Sequence, residues 1–314
     1  MADRTRAFLL ARAPLLLVLL AAGCASTRPG SPDAAFDAKM AELKKRCACR
    51  MGVAARHLES GKTYFFRADD TFESASVIKI AILTEAMAGV KEGRVDLSER
   101  WTLSAEKKAD GSGTLLMLDA GLNPTWGDLI TLMIGPSDNT ATNAWIERLG
   151  IENINARMAS LGFRKIRLFA PIPAYSRRAE KPSPWTGFRL GEIAPREAAE
   201  WMARVAGGEL LDPESSARIF EYLDKDPTRL RIARRFDSSD LFAGKSGSLS
   251  GVRNDSGILR TKKGRFVLAI LTDRSKAVAS SSADHPSVLA IADAARSIVA
   301  AWSRELPDIV DKPK

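Results

Sequence analysis

Histidine is almost missing from this chain. Of 314 residues only His57 and His285 carry an imidazole. Neither has the neighbours that a Ser-His-Asp triad or a histidine-based zinc site needs, so both are expected to serve packing or the surface. Cysteine is as scarce: Cys24, Cys47 and Cys49 are the whole supply, which excludes a cysteine–zinc cluster. No apolar run reaches the roughly 20 residues that span a bilayer. Lys and Arg outnumber Asp and Glu by 47 to 38, yet no aromatic-studded basic cluster accompanies the excess, and nucleic acid is not an expected partner. Repeats and low-complexity tracts are absent. What is present is apolar residue enough, 45% of the chain, to fill one large core or two small ones.

The amino terminus decides the compartment. Arg4, Arg6 and Arg12 precede an apolar run over residues 13–22, too short for a membrane span and shaped like a signal peptide. The run ends in Ala21-Ala22-Gly23-Cys24, which resembles a bacterial lipobox. That resemblance implies cleavage before Cys24 and acylation of its thiol and new amino group, an anchor firmer than one acyl chain supplies. A plain secretory signal with an incidental cysteine is the alternative. Residues 1–23 thus read as a lipoprotein signal peptide and the Ser-, Pro- and Gly-rich residues 24–35 as a flexible tether. Losing the first 23 residues removes three Arg and one Asp and lowers the net charge from +9 to +7. An exported, membrane-anchored lipoprotein facing the periplasm is expected. Cys47 and Cys49 stand two apart. On an extended segment they share a face, where a bridge between them would strain disulfide geometry, so buried free thiols are expected.

Periodicity places helices over residues 36–46, 77–90, 126–134 and 140–149. Two more open with proline in the first turn, over 194–206 and 286–302. Strands are expected over 52–57 and 63–67, and again over 241–249, 256–260 and 265–271. Strands at both ends of the chain with a helical block between them predict a mixed α/β (α+β) fold. One antiparallel sheet would be faced by terminal helices and joined to an all-helical lobe.

Three short motifs carry the chemistry: Ser76-Val77-Ile78-Lys79, Ser137-Asp138-Asn139 and Lys245-Ser246-Gly247. The first is weak alone, and a second copy, Ser104-Ala105-Glu106-Lys107, proves it. The other two occur once each, where chance supplies either about once per several thousand residues. Together, in this order and spaced by 61 and 108 positions, they resemble the set of class A β-lactamases and penicillin-binding proteins. The resemblance covers residues 36–304 and implies that 36–314 form one β-lactamase-like catalytic domain, with the site between lobe and sheet. Ser76 would be the nucleophile at a helix amino end, where free N–H groups favour an oxyanion. Lys79 projects from the same face three residues on, in apolar surroundings that lower an amine's pKa and suit it to take the serine proton. By the same resemblance Ser137 relays a proton to the leaving nitrogen, and Asn139 hydrogen-bonds the substrate's side-chain amide. Asp138 braces the loop. Lys245 and Ser246 would hold the substrate carboxylate, Gly247 lets the ligand close on the backbone, and the N–H of Ser248 completes an oxyanion hole with that of Ser76. Arg253 is read either as a second carboxylate contact or as a surface arginine.

One part is missing. Class A enzymes activate the deacylating water with a glutamate in Glu-x-x-Leu-Asn. The corresponding window, residues 173–178, reads Pro-Ala-Tyr-Ser-Arg-Arg. Glu180 lies just outside it and is the candidate substitute, with Glu192 a weaker one. The leading reading is a monomeric serine β-lactamase-like hydrolase acting on β-lactams, without metal or cofactor. A penicillin-binding or D,D-peptidase-like enzyme acting on peptidoglycan peptides is the second reading, and an idle envelope-binding lipoprotein the third.

Overall fold

The computed structural model describes residues 32–173, 190–226, 229–277 and 283–309. In chain order the first elements are α1 (Pro32–Arg46), β1 (Arg50–His57), β2 (Thr63–Phe66), β3 (Phe72–Glu73) and α2 (Lys79–Lys91). Then come α3 (Trp126–Ile134), α4 (Asn139–Leu149), α5 (Ile151–Ser160), β4 (Arg167–Leu168) and β5 (Gly191–Ile193). The chain closes with α6 (Pro195–Gly207), α7 (Pro213–Leu223), β6 (Leu241–Leu249), β7 (Val252–Thr261), β8 (Gly264–Asp273) and α8 (Pro286–Ser303).

The spine is a five-stranded antiparallel sheet in the order β2-β1-β8-β7-β6. Its side chains alternate between faces with the two-residue repeat of a strand. Met51, Val53 and Ala55 share one core with Phe266, Leu268 and Ile270, and onto it fall Phe36, Met40 and Leu43 of α1 and Ile291, Ile298 and Trp302 of α8. Ala54, Val267, Ala269 and Leu271 turn the other way, into the core of the helical lobe. Through that lobe runs α2, buried from Lys79 to Gly89 on every side, as expected of a helix apolar all round. A small sheet, β3-β5-β4, pairs Phe72 with Ile193 just before Ser76. Strand β6 is left at the sheet edge, its outer rim turned toward the lobe. The architecture is the expected one.

Several elements differ from expectation for identifiable reasons. Helix α1 starts at Pro32, inside the segment read as tether, because proline is tolerated at a first helical position. β7 starts at Val252 rather than 256: Arg253, Asn254 and Asp255 are polar but paired with Ser248, Gly247 and Ser246. Asn254 is accepted in the interior because Nδ2 donates to Glu73 O (2.7 Å) and Ser74 O (3.1 Å) while Oδ1 accepts from Thr272 N. Helices α5 and α7 were not anticipated. Cys47 and Cys49 are not free thiols. They form a disulfide with Cα atoms 5.2 Å apart, inside the normal range. The segment is not extended: Ala48 takes φ +45°, and that turn brings the two sulfurs together. The histidines are structural, as read. His57 is held by Ser60 Oγ and the Lys263 carbonyl, and His285 caps α8 by accepting from Ser287 N.

Candidate active site

Ser76 lies in a single 3₁₀ turn, Ala75–Ile78, that runs straight into α2. The residue before it, Ala75, takes φ +46°, a left-handed conformation that a non-glycine residue adopts only when its surroundings impose it. Those surroundings are visible. Ser74 N donates to Gly191 O of the small sheet, and its carbonyl is held by Asn254 of the large one. The Ser76 turn is therefore pinned from both sheets, with Ser76 itself half-buried.

Lys79 follows one turn later and is completely buried. Its Nζ lies 2.7 Å from Ser137 O, 3.1 Å from Ser137 Oγ and 2.9 Å from Asn139 Oδ1, joining the first two motifs at one nitrogen that, when neutral, donates to the two carbonyl oxygens and accepts from the hydroxyl. Burial, with Lys245 nearby adding like charge and Asp138 opposing both, holds the Lys79 amine well below its ordinary value. A neutral amine beside a serine is a proton acceptor. Ser137 is itself held in the left-handed region, at φ +59°. Asp138 is the brace expected: one carboxylate oxygen accepts from Ala141 N, capping α4, and the other from Thr114 N and Leu115 N. Asn139 donates to Asp110 O as well as accepting from Lys79, so its carboxamide holds the Lys79 amine and the 110–115 loop together. Ser112 Oγ completes that clamp on Ser137 O.

The third motif lies along the edge strand. A Cβ on Gly247 would stand 2.9 Å from Ser76 N and 3.0 Å from Val77 N. Only glycine lets β6 approach the Ser76 turn this closely. Ser246 N points away from the sheet, to Asp226 Oδ2 at 3.1 Å. Outward N–H groups recur every second residue of an edge strand, so that of Ser248 points the same way. Two N–H donors, from Ser76 and Ser248, thus flank the point where the strand meets the turn. Lys245 is fully buried, and burial lowers its pKa against the opposing pull of Asp226.

Arg253 donates to the carbonyls of Leu249 and Val252 and so fastens the β6–β7 hairpin. Arg231, which carries no motif signal in the sequence, reaches Gly247 of the third motif itself. Its buried guanidinium donates to Gly247 O, Asn254 O and Ser248 Oγ. Glu192 sits on β5 opposite Glu73 and Arg167. Glu180 and Cys24 lie outside the described residues. The described chain reaches Pro173 at the wall of the site, where Pro173 O accepts from Asp110 N. Asn254, Arg231 and Asp226 were missed because each acts through a partner distant in sequence. The polar run Arg253-Asn254-Asp255 leading into Ile258-Leu259 is the local signal available.

A sequence model of the Beta-lactamase enzyme family matches residues 35–302. The β-lactamase SME-1 of Serratia marcescens is 25% identical over 293 residues, which is 91% of this chain and 95% of that protein. Among solved structures, a β-lactamase of Sphaerobacter thermophilus superposes with a TM-score of 0.76 at 29% identity, covering 87% of this chain and 98% of its own. A mutant of PBP-A, solved as an acyl-enzyme complex with penicillin G, superposes with a TM-score of 0.75 at 25% identity, covering 88% and 100%.

Proposed function

This chain belongs to the β-lactamase enzyme family and is a β-lactamase-like hydrolase, and on that premise we propose that it opens β-lactams through an acyl-enzyme on Ser76 that it releases slowly. The observation carrying the reading is the buried Lys79 amine, bonded to Ser137 Oγ and Asn139 Oδ1 one turn from Ser76. Neutral Lys79 takes the Ser76 proton as Oγ bonds to the lactam carbonyl carbon. The oxyanion lies between the N–H groups of Ser76 and Ser248. As the C–N bond breaks, Ser137 passes a proton to the leaving nitrogen, and Lys79 restores it. The substrate carboxylate is drawn to Lys245 and Ser246. Release requires a water activated by a base, and the 173–178 window has no carboxylate. Slow release follows, and Glu180, just outside that window, is the residue to test if release proves fast.

The missing glutamate favours a second reading, a penicillin-binding or D,D-peptidase-like enzyme that forms the same ester from peptidoglycan peptides. The solved mutant of PBP-A similar to this chain is an acyl-enzyme complex with penicillin G. Labelling with a fluorescent penicillin beside turnover of a chromogenic cephalosporin separates the readings. Labelling followed by slow but repeated turnover fits the first, labelling with no turnover the second, and no labelling rejects both in favour of an idle cleft.

Export and lipidation at Cys24 belong to the same proposal. The Cys47–Cys49 disulfide supports export, since such bonds persist in oxidising compartments. Cys24→Ser is expected to move the protein from the membrane fraction to the soluble periplasmic fraction or to halt its maturation. A wild-type protein already soluble and unacylated overturns the lipoprotein reading.

A further inference from the structure

The donors assigned to the substrate carboxylate are already engaged. Asp226 stands three residues past the end of α7, beyond the open edge of β6, and is only 7% exposed. Its Oδ2 lies 3.1 Å from Ser246 N, 3.3 Å from Ser246 Oγ and 3.4 Å from Lys245 Nζ. One carboxylate oxygen thus collects the hydroxyl and the ammonium of the third motif, together with the outward N–H between them. Those are the groups an incoming carboxylate would seek.

Acids stand beside the cations around them as well, among the described residues. Among the described residues, the cations of this region are Lys245 and Arg231, with Arg253 beyond Arg231 and the Lys79 amine on the lobe side. The acids are Asp226 and Asp255, with Asp138 behind Lys79. Asp255, cross-strand from Ser246, accepts from Ile232 N beside Arg231 and is pushed up to about 7 by burial. Lys245 is matched by Asp226 without any ligand. A second carboxylate on the same donors meets a like charge at contact distance, a juxtaposition that interfaces use to reject partners.

We propose that Asp226 is a specificity-determining residue that occupies the seat of the substrate carboxylate, so that the cleft favours acyl donors with no free carboxylate there. This rests on the acyl-transfer reading of Ser76 and narrows its substrate class. The chemistry selected is an amide or β-lactam whose group next to the reacting carbonyl unit is neutral, such as an ester or a carboxamide.

The test compares benzylpenicillin with its methyl ester, on the full chain and on Asp226→Asn. Second-order acylation rates are read from the adduct by whole-protein mass spectrometry. Asp226→Asn is expected to raise the rate with benzylpenicillin by about tenfold or more and to change the ester rate by less than about twofold. Equal changes for acid and ester overturn the proposal, because a residue that merely holds β6 in place affects both. A fall with the acid alone overturns it too, since Asp226 would then be aligning Lys245 for the carboxylate. In a Ser76→Ala background, the dissociation constant for intact benzylpenicillin should tighten when Asp226→Asn is added. That second measurement decides the proposal even if no variant acylates, an outcome that by itself would reject the acyl-transfer reading instead.

Discussion

Ser76→Ala abolishes covalent labelling by a penicillin while leaving a folded protein. The hydroxyl is half-buried in the turn before α2. The contacts holding that turn, from Gly191 and Asn254, are made by backbone atoms of Glu73 and Ser74. Removing one such oxygen shifts stability by no more than about 1 kcal/mol. Thermal unfolding of the variant should therefore match that of the wild type while the adduct disappears. Ser104→Ala, in the second Ser-x-x-Lys copy, should keep full labelling. Ser104 only precedes an exposed 3₁₀ turn, Ala105–Lys107, and Lys107 lies over the Trp101 ring. Labelling that survives Ser76→Ala places the nucleophile elsewhere and ends the account of the first motif.

Lys79→Met slows acylation by about a hundred- to ten-thousand-fold, the usual loss when a positioned base is removed. Methionine roughly preserves the buried volume, so the effect reads proton transfer rather than a collapsed core. Lys79 acts only when neutral, so wild-type acylation should rise with pH through the depressed pKa of its amine and level off above it. The same depression has a consequence for stability. Between the folded value and the ordinary lysine value the unfolded chain binds the extra proton, so this group's contribution rises with pH across that window and is lost as pH falls through the folded value. Lys79→Met should remove that slope, measured as denaturant midpoints across pH. An acylation rate within about tenfold of wild type points to a different proton acceptor.

The elements legible in the sequence were those whose signal is local. Helix α3 fits its expected bounds and carries a capping box between Thr125 and Asp128. The prolines that open α6 and α8 stand at first helical positions. Helix α7 bears an equally local sign, Asp212 capping Ser215 N with Pro213 next, which was passed over. Helix α5 offers less, since it buries only Ile154 and Met158. What could not be read locally was set by contacts across the fold. The start of β7 depends on Asn254 finding the Glu73 and Ser74 carbonyls about 180 positions away. The Cys47–Cys49 bond depends on one left-handed alanine. The motifs named the candidate residues, but not that Asn139 is spent on Lys79 and Asp110, or that Arg231 and Asp226 line the edge strand.

The lifetime of the Ser76 ester tests the central claim most directly. Whole-protein mass spectrometry after mixing with benzylpenicillin follows it without any assumption about turnover. With Lys79 placed for acylation and no carboxylate in the 173–178 window, one adduct on Ser76 is expected to accumulate and persist for minutes or longer. Losing the deacylation base costs about a hundred- to ten-thousand-fold. An adduct that vanishes within milliseconds under full turnover contradicts slow release. Glu180→Gln then decides whether Glu180 is the base, by trapping the adduct or failing to. No adduct and no hydrolysis, from a folded protein, contradicts the acyl-enzyme itself.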